Sequence, residues 1–261
     1  MRSILKRAAL AATLVITSWA TIATATPFPG PDDFGYSGAI IGFNFRDISA
    51  SGTPLSLGDD EVSAAIPLGF TFKFYGNDYT EVYVSSNGFL TFAPGQDAAC
   101  CSVGSLPGPT DPSNMVAGYW TDLNPDPSSV PPGGGSVRYQ TVGSAGSLEF
   151  IVEFSQVPYF FNSVPNTFEM ILHEGSNAIE LQYLSAVFLD SYIVDPQIDA
   201  NLAVGIENLG GTSGLEITFD QGVDLNGQQG YFITAVPEPA TLALLGLGLA
   251  GLGFSRRKHV R

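Results

Sequence analysis

Residues 68–75 read LGFTFKFY. Phe70, Phe72 and Phe74 face one way and Thr71, Lys73 and Tyr75 the other, because successive side chains on an extended strand point to opposite faces. This period of two demands β structure with one side buried, and it recurs along the chain. SLEFIVEFSQV sends Phe150, Val152 and Phe154 inward and Glu149 and Glu153 outward. TFEMILHE sends Phe168, Met170 and Leu172 inward, and AIELQY sends Ile179, Leu181 and Tyr183 inward. MVAGYW is apolar throughout and reads as a fully buried strand. AIIGFNFRDIS is expected to form a first strand, and SVRYQTV, NLAVGIEN, GLEITFD and GYFITA complete the set. No strong helical period appears in the body. About eleven or twelve strands in roughly 200 residues predict an antiparallel two-sheet sandwich or jelly roll.

The turns between these strands draw on 30 glycines and 18 prolines. In EVYVSSNGFLTFA, Asn87-Gly88 predicts a type I′ hairpin turn, whose two central residues both need positive φ. Residues 94–114 form a long loop that holds both cysteines, and TDLNPDPSSVPPGGG is a long acidic Pro/Gly loop.

Charge is distributed unevenly. Seven of the ten basic residues lie near the ends: Arg2, Lys6, Arg7, Arg256, Arg257, Lys258 and Arg261. Only Arg46, Lys73 and Arg138 remain between, against every acid except Glu238, which gives that stretch a formal charge of −21. Nucleic-acid binding is excluded on this ground, since neutralising phosphates needs Lys and Arg. An acidic surface keeps a protein soluble and attracts cations or basic partners.

Both ends read as processing signals. MRSILKRAALAATLVITSWATIATA has a basic start, a short apolar middle and a small-residue end. Ala23 and Ala25 fit the small-x-small cleavage rule, so residues 1–25 are a signal peptide and the mature chain starts near Thr26. At the far end, the uncharged residues 240–254 would cover about 22 Å as a helix, short of the ~30 Å hydrocarbon core. Four glycines weaken that helix further, and its basic flank stays on the cytoplasmic side. Residues 26–235 are then the β domain, with its clear pattern from about residue 66, and residues 236–261 the terminal segment.

Pro237-Glu238-Pro239, then a short glycine-bearing apolar helix, then Arg256-Arg257-Lys258 resembles the PEP-CTERM sorting signal of Gram-negative bacteria. The resemblance implies recognition by an exosortase, cleavage near the triplet and a transient hold in the membrane through the C-terminal helix. It also implies a cell-surface or extracellular destination in bacteria that make exopolysaccharide. The body, from LGFTFKFYGNDYTEVYVSSNGFLTF to VGIENLGGTSGLEITF, is similar to a β-sandwich module of bacterial secreted proteins and resembles nidogen-like extracellular domains. That resemblance implies an accessory or binding role and no particular reaction.

Few residues invite chemistry. Cys100 and Cys101 are adjacent and alone. Export to an oxidising compartment favours a vicinal disulfide, with intermolecular bridges and free thiols as alternatives. No second Cys or His pair completes a zinc site. His173 is the only histidine before the tail, and alternation puts it on an exposed strand face. No G-x-S-x-G elbow accompanies it. Asp122, Asn124 and Asp126 place oxygen ligands at alternate positions, as calcium sites do. The same residues, beside prolines, also suit plain turns. Asp59, Asp60 and Glu61 are a second, less patterned acidic stretch. Tyr119, Trp120, Tyr159, Phe160 and Phe161 either stack on sugars or belong to the core. No repeated T-x-T rows suggest an ice-binding face.

The expected protein is an exported, non-enzymatic surface or matrix protein without a cofactor. It is sorted by an exosortase and associated with exopolysaccharide or biofilm. A carbohydrate- or calcium-binding lectin-like domain is the alternative, and a secreted hydrolase comes third.

Overall fold

A computed structural model describes residues 30–100, 103–109, 112–129, 132–160, 164–186, 201–219 and 229–235. The signal peptide with Ala23 and Ala25, the sorting segment with Pro237 to Lys258, Cys101 and Phe161 lie outside the described residues. Among the described residues there are 13 strands and no helix, so none is long and apolar enough to cross a membrane. One sheet has the order β1 (Tyr36–Gly42), β13 (Gln229–Ala235), β10 (Ile179–Ser185), β9 (Pro165–His173), β8 (Glu149–Pro158), β7 (Ser136–Val142) and β2 (Thr53–Leu55). The other runs β12 (Gly214–Phe219), β11 (Ala203–Glu207), β6 (Met115–Trp120), β5 (Phe89–Thr91), β4 (Asn77–Val84) and β3 (Ile66–Phe74). Every pairing is antiparallel, and the two sheets form a sandwich.

The inward faces follow the alternation. In β3 the odd-numbered residues are exposed and the even-numbered ones buried, with Leu68, Phe70, Phe72 and Phe74 in the core. Phe150, Val152 and Phe154 meet them from β8, Phe168, Met170 and Leu172 from β9, and Ile179, Leu181 and Tyr183 from β10. Phe154 stacks on Phe168 at 4.7 Å, and Phe74 packs against Phe92 at 4.7 Å. Each such side chain contributes roughly 1.5–3 kcal/mol by leaving water. β6 is buried along its whole length because its outer side is covered too. Tyr119 and Trp120 are core residues, and Tyr159 is buried with its hydroxyl against that of Tyr119. Tyr75, expected outside with Thr71 and Lys73, is buried. A positive φ ends the alternation at this residue, and its hydroxyl donates to Asp32.

The outer face of the larger sheet differs from expectation. β1 ends at Gly42, and the chain then leaves the sheet plane. Residues 43–52 cross the outer face and join β1 at one edge to β2 at the other, like a belt. The backbone N–H of Asn44 donates to Gln182 on β10, that of Arg46 to Glu169 on β9, and that of Ile48 to Glu153 on β8. Ser51 then reaches Gln140 on β7. Alternate N–H groups of an extended segment point the same way, so they find successive strands of the sheet beneath. Their acceptors are side chains, which is why residues 43–49 are not a strand. Ile48 packs with Ile151 and Ile171 under the belt. Glu153 and Glu169, which alternation places outside, are therefore 1% and 0% exposed.

The smaller sheet is covered in a similar way. The loop carrying Cys100 lies over Phe89, Met115, Ala117, Trp120 and Ala203 and contributes Ala99, Val103 and Leu106 to a second apolar cluster. Glu216 and Glu207 accept the N–H groups of Leu106 and Gly108, and Trp120 donates its indole N–H to Ala99. Part of each outer face thus gains a cover without a further strand, while β3 keeps its outward side exposed.

Strand register sorts the connections into two ends. Ala235, the last residue of β13, shares one end with the turns at 143–148 and 174–178, since Ile233 faces Ile179, Ile179 faces Leu172, and Leu172 faces Phe150. The segments 56–61, 85–88, 121–129 and 132–135 gather at the opposite end, where Leu123 bridges to Tyr159 beyond β8. We call these the tail pole and the loop pole.

Candidate metal centre at the loop pole

Three loops meet around Asn87, which is fully buried. Its amide donates to Asp60 at 2.9 Å and to the Ala98 carbonyl, and its side-chain oxygen accepts the N–H of Leu123. Ser86 and Glu61 exchange two further bonds. The turn that presents Asn87 is not the expected type I′. Val84 pairs with Leu90, Ser85 donates its N–H to Phe89, and only Gly88 has positive φ, at 80°. Three residues, Ser86 to Gly88, thus form the loop, with glycine in the left-handed position, as in hairpins closed by a bulge. Gly88 also lies flat against β6: a Cβ there would sit 2.1 Å from the Tyr119 carbonyl oxygen. That contact brings Asn87 within reach of residues 121–123.

The hub assembles Asp59, Asp60 and Asp122, whose carboxylates come within 4.8 Å of one another. Asp122 is the one member of the expected Asp122, Asn124, Asp126 set that joins this group. Asn124 is buried, and its oxygen accepts the N–H of Asp126 while its amide donates to Ser129. Asp126 accepts the N–H and hydroxyl of Ser128. Asn124 and Asp126 thus hold their own loop, as turn formers do. Alternate positions in an irregular proline-rich loop do not share a face, so their spacing carried no ligand geometry. Asp59 and Asp60 are 62 and more residues from Asp122 in sequence. The acidic run at 59–61 is their only local signal, and nothing in it points to Asp122.

Crowding affects the charge of these acids. Burial, then the Asp60 and Asp126 charges, push the Asp59 carboxyl up to about 6. Burial, then Asp60 and Asp59, push Asp122 up to about 7. One Asp59 oxygen is buried without a hydrogen-bond partner. A hard dication relieves such repulsion and takes carboxylate and carbonyl oxygens. These three acids could supply part of a calcium shell. A cavity of about 330 Å³ lies alongside, lined by Pro54, Ser56, Gly58, Pro125, Asp126 and Gly135 among others.

His173 occupies a different place. It is not an exposed strand residue: its ring nitrogens lie 3.0 Å from Glu180 and 3.4 Å from Glu149. Arg46 of the belt bridges the same two acids, at 2.9 Å to Glu149 and 2.7 Å to Glu180. Burial opposes charge on Glu180, but His173, Arg46 and Gln182 outweigh it and hold its carboxyl at about 2. Alternation puts His173 on the outer face, where Glu149, Glu180 and the Phe232 ring at 5.6 Å close around it. Cys100 is disulfide-bonded, within the loop that covers the smaller sheet.

Comparison with known proteins agrees with the architecture. No curated protein and no solved structure matches the chain. A family model described as "NIDO related" matches residues 35–222, and one for the PEP-CTERM protein-sorting motif matches residues 235–258. The motif begins on the last residue of β13, at the tail pole. It marks an exported protein processed by an exosortase. Since the first match spans most of the chain and most of the sandwich, the protein belongs to the NIDO-related family.

Proposed function

We propose that the sandwich is a non-enzymatic binding module of the cell surface or matrix, and that it associates with exopolysaccharide through its loop pole. The observation that carries this reading is polarity. The sorting motif departs from the tail pole, while the acidic triad and the adjoining cavity lie at the other. A sandwich held by its tail presents its loop pole away from the membrane. Loops on a rigid scaffold are where binding residues concentrate. The fixed place of His173 between Glu149, Glu180 and Arg46 favours a structural over a catalytic use of that histidine.

The triad favours a second reading, a calcium-dependent lectin-like module. Folded-state carboxyl values above the ordinary aspartate range mean that stability is full in acid and falls as pH rises through about 6 to 7. Calcium would remove that loss.

One experiment addresses both readings. The full mature chain is cosedimented with exopolysaccharide from the producing bacterium, with calcium and with chelator. Binding in both conditions supports the matrix role, and binding lost with chelator supports the calcium-dependent module. Absence of binding in both, at high protein concentration, overturns the two together. An Asp122→Asn variant that binds like the parent and keeps the same calcium effect on Tm removes the triad from the account.

A further inference from the structure

The belt rests on an arrangement that the binding role does not require. Glu153 and Glu169 are direct cross-strand partners on β8 and β9, so their side chains share the outer face. Directly opposite residues on one face have Cβ atoms about 4.5–5.5 Å apart. Both are buried, and each accepts one belt N–H, from Ile48 and Arg46 respectively. Two carboxylates so close in a dry site resist carrying two charges.

The surrounding groups do not cancel that repulsion. The belt contributes Arg46 and Asp47. Arg46 is committed to Glu149 on β8 and Glu180 on β10. Asp47 adds repulsion to Glu153. β7 contributes Arg138, which attracts Glu153 while donating to the Gly52 carbonyl. β9 contributes His173, turned to Glu149 and Glu180. At the β13 positions facing this side, Gly230 and Phe232 bring no charge.

We propose that the belt is a proton-operated latch: it stays closed while the Glu153–Glu169 pair holds a proton and loosens when alkali leaves both carboxylates charged. The protonated member still accepts the belt N–H through its carbonyl oxygen. Loss of the proton places two like charges directly under two of the three N–H groups that tie the belt down, leaving the Arg46 bridges, the Ser51 and Gly52 bonds and one small apolar cluster to hold it. The belt joins the two edge strands across the outer face, so its loosening bares that face, with Ile151 and Ile171, to water. Burial first, then Glu153 and Glu180, hold the Glu169 carboxyl at about 8 despite Arg46, which places the transition just above neutrality.

Trypsin reports the latch directly, because Arg46 is the only basic residue between Arg7 and Lys73. The full chain is digested from pH 7 to 9.5. Cutting at Arg46–Asp47 is followed by mass spectrometry and normalised to a free peptide of the same local sequence. Ionisation centred near 8 predicts about a tenfold rise in normalised rate across that range. Glu169→Gln keeps an oxygen for the Arg46 N–H without a charge, so its rate stays low and flat. Glu153→Gln makes the same test if the first variant does not fold. A flat profile in the parent overturns the latch, as does a rise that survives in the variants or a variant cut rapidly at pH 7.

Discussion

Replacing Gly88 with alanine tests how the loop pole is built. Two costs are separable. Gly88 has φ of 80°, where an L side chain loses roughly 1–2 kcal/mol. Its Cβ would also lie 2.1 Å from the Tyr119 carbonyl oxygen and 2.8 Å from its carbon. Those are backbone atoms of a buried strand, so relief requires β5 and β6 to separate. Forced overpacking of this kind costs about 1–3 kcal/mol more. Gly76 supplies the control, since it has φ of 81° and open space where its Cβ would go. Gly76→Ala is expected to lose ~1 kcal/mol and Gly88→Ala ~3–4 kcal/mol in urea unfolding, with unchanged slope. The excess should be accompanied by loss of any calcium stabilisation, because Asn87 moves with Gly88. Equal losses for the two variants would refute the close-approach argument, while failure of Gly88→Ala alone to fold would agree with it.

Two other perturbations address the covered faces. The folded-state carboxyl of Glu180 lies near 2, below its ordinary 4.5, so its stabilisation is complete above about 4.5 and disappears as pH falls towards 2. Discounted for solvent screening, that amounts to roughly 2 kcal/mol. Glu180→Gln should flatten the stability profile between pH 4.5 and 2, as read from Tm in citrate and phosphate buffers. Trp120→Phe removes the donor to the Ala99 carbonyl while keeping an aromatic ring against Phe89. A loss of ~1 kcal/mol and faster proteolysis close to Ala99 are expected, consistent with the usual value of one hydrogen bond.

The division between sequence and tertiary structure follows from the range of each effect. Alternation within a strand is local, so LGFTFKFY alone determined that Phe70, Phe72 and Phe74 enter a core. It likewise determined the inward residues of β8, β9 and β10 and the all-β class. The Pro-Glu-Pro motif was legible for the same reason, being contiguous. Alternation says which residues share a face, but not whether that face meets water. For Glu153 and Glu169 the answer came from residues 43–52, more than 90 positions away. A run such as FNFRDIS has no periodic mark of a belt, because its partners are side chains of three different strands. The acidic centre has the same character. Asp122 stood out within its own loop, whereas its companions Asp59 and Asp60 arrive through Asn87 and the close packing of Gly88 on β6. Sequence determines a pattern within one element; the meeting of loops at a pole depends on strand order, which only the closed sandwich supplies.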